Sequence, residues 1–310
     1  MRFVGVFNRD GGTFKTTDMD AFAAHAVAIF AAQGQTLDAR IVEGKHLVAE
    51  LKRAAGEADV LLAGGGDGTI SAAAGIAYKH HIPLAVLPAG TMNLFARSLA
   101  LPLNLDEALE ALADGEFKDV DIATANGRPF IHQFSVGIHP KLVKLREQLT
   151  YKGRIGKMIA STRAGAGALL RPPKFVAEIT AKGRMERHST VGISISNNPL
   201  EGQIPHAERL DAGVLGIYVV APLTPWLMVK LSWALARGKW KQLPEVVDRE
   251  ARNVTIRFPR KKSGALAVID GELITLASRV DLRIHPGALQ VVVPKATHAL
   301  HPARTTSLEA

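Results

Sequence analysis

Leu61-Leu62-Ala63-Gly64-Gly65-Gly66-Asp67-Gly68-Thr69 runs from an apolar stretch through glycines into a helical pattern. Without Cβ atoms the backbone can turn sharply and approach a ligand closely. Its amides, together with the helix N-terminus, form an anion site of the kind that holds phosphate. No Gly-Lys-Ser/Thr follows, so this is not a P-loop, and the dinucleotide-binding glycine spacing is not matched well either. A tight strand–helix turn is the plain alternative. Asp67 weighs against it, because an acid inside a glycine nest suits a site that also positions a metal ion or a nucleophilic hydroxyl. Phosphoryl transfer depends mainly on such positioning and charge neutralisation, with Mg²⁺ bridging the phosphates.

Three further segments share this character. Leu87-Pro88-Ala89-Gly90-Thr91-Met92-Asn93 again follows a strand-like run and opens a helix. Thr91 and Asn93 could simply cap that helix, but two neighbouring strand–Gly–helix turns suit a shared phosphate crevice better. Asn8-Arg9-Asp10-Gly11-Gly12-Thr13 is a polar turn after the first strand-like run. Val268-Ile269-Asp270-Gly271-Glu272 lies far along the chain. It reads equally as an ordinary hairpin turn or as two acids that a second domain brings to the phosphates.

The elements that must position these residues divide the chain in two. Strand-like runs at Arg2–Phe7, Thr36–Val42, Val60–Ala63 and Pro83–Leu87 alternate with helical patterns at Asp18–Gln33, His46–Ala55 and Thr69–Lys79. Asn93–Leu99 and Leu105–Ala113 add two short helices. Such alternation predicts βαβ units and a mostly parallel sheet, whose ligands sit beyond the carboxyl ends of the strands. After about Phe117 the pattern changes. Asn126-Gly127 predicts a hairpin, and Lys182-Gly183 is a weaker turn between Lys174–Ile179 and Arg184–His188. Strands follow at Val191–Ser196, Val214–Val220, Asn253–Phe258, Ala265–Ile269 and Val280–His285, with helical stretches near Lys141–Ala164 and Thr224–Arg237. The expected fold is an α/β N-terminal domain followed by a mainly β C-terminal domain. The expected boundaries are 1–125 with a returning segment 287–310, and 126–286.

The length of 310 residues suits two domains. No apolar run approaches the roughly 20 residues of a membrane span, and the N-terminus is too short and too soon broken for a secretory signal. The absence of cysteine fits the cytoplasm. The net charge of +9 favours anionic partners without choosing among nucleotides, nucleic acid and acidic lipids.

Together the four segments resemble the diacylglycerol kinase catalytic-domain family, which includes bacterial lipid kinases and sphingosine kinases. Gly65-Gly66-Asp67-Gly68-Thr69 resembles its signature, shared with NAD kinases, and Leu87 to Arg97 resembles its more specific Leu-Pro-x-Gly-Thr-x-Asn-x-Phe-Ala-Arg segment. Phe134 to Ile138, Ser196-Asn197-Asn198 and Asp270-Gly271-Glu272 resemble landmarks of its second domain. The resemblance implies an ATP-binding α/β domain and a β-sandwich domain, with Leu289–Val293 returning to the first domain, and ATP with Mg²⁺ as cofactors. It implies a nucleotide site at Asn8, Gly11, Gly12, Gly64, Gly65, Gly66, Gly68, Thr69, Gly90, Thr91 and Asn93. Asp67 would position metal-bound phosphates, Asp270 would take the acceptor proton, and Glu272 would assist. In two places the chain departs from the family. Arg9-Asp10-Gly11 replaces Pro-x-Ser in the first loop, so Thr13 would have to supply any hydroxyl contact. Ala212 replaces the second acid of an Asp-Asp-Gly motif, which leaves Asp211 as a weakened structural Mg²⁺ ligand.

The acceptor expected from the resemblance is a lipid hydroxyl at an anionic membrane surface, reached from the cytoplasm. Lys141, Lys144, Arg146, Lys152, Arg154, Lys157, Arg163, Arg171 and Lys174 face only Glu147 as an acid in that stretch. Basic clusters of this kind favour anionic leaflets; a solvated helical face is the alternative. Nucleic acid is not expected, since only Tyr151 could stack there. Trp226, Trp233 and Trp240 recur every seven residues among basic residues. That spacing fits one helix face, lying at a lipid interface or packed on the core. An NAD kinase-like enzyme is the second hypothesis, but its Asn-Glu pair occurs nowhere here. A non-catalytic lipid- or nucleotide-binding relative is the third.

Overall fold

The computed structural model describes residues 1–150, 173–201, 207–222 and 224–295. The chain forms two compact units, one from Met1–Val120 joined by the chain from Ala288, the other Asp121–Gly287.

The first unit is α/β. Strands β1 (Arg2–Asn8), β2 (Thr36–Val42), β3 (Val60–Gly65) and β4 (Leu84–Pro88) lie side by side in the order β2-β1-β3-β4, all parallel. Helices α1 (Met19–Ala32), α2 (Leu47–Ala55), α3 (Asp67–His80), α4 (Leu94–Ser98) and α5 (Leu105–Ala113) connect and cover them. Every residue of β3 and β4 is buried, as expected of central parallel strands covered on both faces. Two helices start where their sequences place caps: Asp18 accepts the N–H groups of Asp20 and Ala21, and Asn104 those of Asp106 and Glu107. Phe7 packs edge-on against Phe14 and Phe22, tying β1 and the turn after it to α1. Each such buried ring contributes roughly 1.5–3 kcal/mol.

The second unit is a β-sandwich. One layer is antiparallel, in the order β12 (Val246–Ala251), β11 (Leu215–Val220), β10 (Gly192–Asn197), β7 (Gln133–Gly137), β14 (Leu266–Ile269), β15 (Glu272–Thr275). The other contains β8 (Phe175–Ala181), β9 (Arg184–Thr190), β13 (Asn253–Arg257) and the first part of β16 (Arg279–Val293), with the hairpin of β5 (Glu116–Ala125) and β6 (Arg128–Phe130). Phe134, Ile193 and Ile217 from the first layer meet Ile179, Ile256 and Leu282 from the second in one apolar core.

Three tight hairpins use the same turn. Asn126-Gly127, Lys182-Gly183 and Asp270-Gly271 all have positive φ at both central residues, the geometry that matches strand twist. The acidic motif is therefore an ordinary hairpin turn in its backbone, whatever its side chains do.

Three expectations change. Val280–His285 and Leu289–Val293 are not two strands but parts of the single strand β16. Pro286-Gly287 does not break it, because Gly287 takes a φ of 61° and its N–H donates to the Asp121 carboxylate at 2.9 Å. Beyond that point Val291 pairs with Leu84 of β4 in parallel. Strand β12 carries Asp248, Arg249 and Glu250 on exposed positions, so its sequence does not read as a strand. The tryptophans do not share a helix: α7 spans Pro225–Ala236, and Trp240 lies beyond it in a 3₁₀ turn, buried edge-on against Tyr218. The helix near Lys141 is described as α6, Ile138–Thr150. Of the basic cluster, Lys141, Lys144 and Lys174 are exposed, Arg146 has only its backbone described, and Lys152, Arg154, Lys157, Arg163 and Arg171 lie outside the described residues.

Candidate active site

In the first unit the three loops at the carboxyl ends of β1, β3 and β4 are bonded into one structure. The Thr13 N–H donates to the Ala89 carbonyl at 2.8 Å, and the Ala89 N–H to the Gly65 carbonyl at 3.0 Å. Asn8 Nδ2 donates to Thr69 Oγ1 at 3.2 Å, fastening the end of β1 to the first turn of α3. Two glycines are dictated by these contacts. A Cβ on Gly12 would lie 1.7 Å from the Ala89 carbonyl oxygen, and one on Gly90 would lie 2.6 Å from the Gly66 Cα. Gly68 differs: it is exposed, its φ is not positive, and a Cβ there would meet nothing within 4 Å. A glycine in a helix costs about 1 kcal/mol relative to alanine, and nothing in the fold requires one here. The space above it is open to a ligand.

Asp67 occupies the first position of α3 and spans two loops. Its carboxylate accepts the Leu94 N–H at 2.7 Å and the Asn93 N–H at 3.1 Å. Asp67 thus caps α4 from a neighbouring segment. Asn93 does not cap with its side chain. It sits in the left-handed region (φ 49°), donating Nδ2–H to the Gly90 carbonyl and accepting the Gly90 N–H, which closes the 90–93 turn. Thr91 is exposed beside it. In the first loop Asp10 stands where the family pattern leads up to a hydroxyl. Its carboxylate accepts the Gly44 N–H at 2.7 Å, and the Thr13 side chain is exposed.

The acids of the second unit occupy different environments. Asp270 accepts N–H groups from Ile131, His132 and Gln133, each at 2.9 Å, while its own N–H donates to the Gln133 carbonyl at 3.0 Å. Glu272 is exposed and forms an ion pair with Arg128. Below this hairpin lies an apolar cavity of about 200 Å³, lined by Phe134, Ile269, Ile274, Leu276 and Val280, with Arg128 among its walls. Asp211 is half-exposed and paired with Arg209 at 3.2 Å. Among the described residues no group of three or more His, Cys, Asp or Glu side chains is arranged to hold a metal.

Residues 2–125 match the model of the diacylglycerol kinase catalytic domain, and residues 160–293 that of the YegS C-terminal NAD kinase beta sandwich-like domain. Residues 2–125 thus form a domain of the diacylglycerol kinase catalytic-domain family. The chain is 43% identical over 210 residues to a diacylglycerol kinase of Staphylococcus saprophyticus, covering 64% of this chain and 66% of that protein. A diacylglycerol kinase of Staphylococcus aureus is 44% identical over 204 residues, 64% of each chain. An uncharacterized protein of Synechocystis sp. is 26% identical over 267 residues, 81% of this chain and 60% of its own length. The chain therefore spans 60–66% of the length of these relatives. The two-unit fold is that of a diacylglycerol kinase from Bacillus anthracis, with a TM-score of 0.71 at 20% identity over 95% of this chain and 97% of that one. The family is one of kinases with an alcohol acceptor.

One buried acid carries no signal in the sequence. Asp121 is 1% exposed, and its carboxylate accepts the N–H of Gly213 at 2.6 Å and of Gly287 at 2.9 Å. It stands where the chain enters the second unit and holds the residue at which the chain leaves it. The neighbouring Ala212 N–H donates to Asn198 Oδ1 at 3.0 Å, so the segment with the missing second acid is pinned by direct hydrogen bonds. No spacing marks Asp121 in the sequence; its partners lie 92 and 166 residues away.

Proposed function

We propose that this chain is an ATP-dependent lipid kinase. It transfers the γ-phosphoryl group of ATP to a lipid hydroxyl of the diacylglycerol type at a membrane surface. The observation that carries the reading is the union of the three loops beside an open Gly68 at the N-terminus of α3. That arrangement suits a triphosphate, whose charge is best met by oriented dipoles. Asn8, Gly11, Gly12, Gly64, Gly65, Gly66, Gly68, Thr69, Gly90, Thr91 and Asn93 form or support this nest.

The metal requirement fits the residues present. Mg²⁺ in such enzymes is held by one or two carboxylates together with substrate phosphates rather than by a protein cage, so Asp67 alone can serve it. When bound, the ion neutralises charge developing on the phosphates. Asp67 also fixes the start of α4 against the glycine loop. The acceptor oxygen bonds to the γ-phosphorus as the bond to the β–γ bridging oxygen breaks and ADP leaves. The hydroxyl proton passes to a carboxylate, a role assigned to Asp270 with Glu272 beside it. The backbone amides around Asp270 hold its carboxylate in one orientation. The apolar cavity next to this hairpin supports an acceptor with hydrocarbon.

The second reading is phosphorylation of NAD, favoured by the match of residues 160–293 to an NAD kinase-like sandwich. The test is calorimetry of Mg²⁺-ATP binding, followed by turnover with diacylglycerol in mixed micelles. One nucleotide per chain and one phosphatidic acid per ADP are expected. ADP formed only when NAD replaces the lipid would overturn the lipid reading.

A further inference from the structure

Helix α7 carries two apolar faces. Leu227, Leu231 and Ala234 pack inward, against Val191 and the cluster of Leu200, Tyr218, Trp240 and Val246. Trp226, Val229 and Trp233, spaced by three, four and seven residues, share the opposite side. They are 75%, 55% and 60% exposed. A helix needs one apolar face to join a core, so a second one turned to solvent marks a contact with something else.

The charges around this face select the partner. Lys230 and Arg237 lie on it and Lys239 follows it, all exposed, and no acid occurs between Ala221 and Pro244. The Arg237 guanidinium stacks 4.3 Å from the Trp233 ring centre, placing a cation beside an indole. Lys241 is drawn away toward Asp248. At the start of α6, Ile138 packs on the same Val191 as Leu227 and Leu231, and Lys141 one turn on is exposed. Indoles flanked by cations suit the zone between acyl chains and phosphates, where the ring is apolar and its N–H and neighbours are wet. Trp240, just beyond the helix, is buried edge-on against Tyr218 of β11.

We infer that the Trp226–Val229–Trp233 face of α7, with Lys230 and Arg237, docks the second unit on an anionic lipid surface. The inference takes its purpose from the lipid-kinase reading but is tested apart from it. The full chain, without ATP, is mixed with vesicles of phosphatidylcholine alone or with phosphatidylglycerol, and bound protein is measured by sedimentation. Binding is expected to anionic vesicles, weakening with salt, and to fall at least tenfold in Trp226→Ser/Trp233→Ser and in Lys230→Glu/Arg237→Glu. All these side chains are exposed, and unchanged thermal unfolding would confirm that both variants are folded. Activity on short-chain diacylglycerol in micelles should match wild type in both. Vesicle binding equal to wild type in the variants overturns the inference and leaves the kinase reading standing. A wild-type chain that ignores anionic vesicles also overturns it, as does a dimer that the tryptophan variant dissociates without loss of vesicle binding. Vesicle binding without lipid phosphorylation would sustain the inference and sink the kinase reading instead.

Discussion

The glycine loops of the first unit and the Asp270 hairpin of the second use the same device. In each, a carboxylate on one turn gathers consecutive backbone N–H groups of another: Asn93 and Leu94 for Asp67, Ile131 to Gln133 for Asp270. They differ in what surrounds the acid. Around Asp67, Gly65 and Gly90 are packed against their neighbours, while at Gly68 the space is open. Around Asp270 the backbone closes on the carboxylate, and the exposed acid is Glu272, held by Arg128. The first region leaves one position open to solvent, where the proposed nucleotide would sit; the second holds one side chain still. An acid that organises a turn can therefore also be placed for chemistry, and loss of activity on its removal does not separate the two roles unless stability is measured beside it.

The sharpest way to break this contrast is within the first region. Gly68→Val adds bulk where the protein has none, so the fold should stay as stable as wild type while Mg²⁺-ATP affinity falls at least tenfold, about 1.4 kcal/mol or more. Gly90→Val drives a side chain into Gly66, so affinity and stability should fall together. Equal behaviour of the two variants in calorimetry and thermal unfolding would erase the distinction between ligand space and packing space.

The next largest effect concerns the acids. Asp270→Asn turns an acceptor of N–H groups into a partial donor facing donors. Turnover should be lost, and stability should drop by about 1.5–3 kcal/mol, the scale of a hydrogen bond to a charged group. Glu272→Gln should lower turnover less and leave urea unfolding unchanged, because an exposed ion pair contributes only about 0–1 kcal/mol. A fully stable Asp270→Asn protein would show that the amide nest is not structural.

Asp121→Asn should destabilise the second unit by a similar 1.5–3 kcal/mol without changing nucleotide affinity, since its partners Gly213 and Gly287 lie outside the loops. The smallest effect is with pH. Burial, with the nearby Arg283 charge, pushes the His285 imidazole below its ordinary value. The folded state then favours the neutral ring, so its contribution is present above about pH 6.5 and declines as pH falls below that toward the folded value. His285→Gln should flatten that part of the stability profile.

The first unit was largely legible because its signals are local. Alternation of buried strands with helices, and glycines at strand ends, place all three loops without knowledge of distant contacts. What Asp67 does was not legible, since its partners lie 26 and 27 residues away and are backbone groups that any residue supplies. In the second unit the Gly-containing turns predicted the hairpins, but β12 reads as a charged segment because its side chains face solvent. Seven-residue spacing misled at Trp240, because Gly238, with a φ of 68°, follows the helix end at Arg237 and turns the chain before the third tryptophan. Asp121 carries no motif at all.

The central claim is best tested by competition in one tube: the purified chain with γ-labelled ATP, Mg²⁺, a total lipid extract in mixed micelles, and NAD. The account predicts label in an organic-phase lipid phosphate, with none in NADP. Label confined to NADP would contradict it.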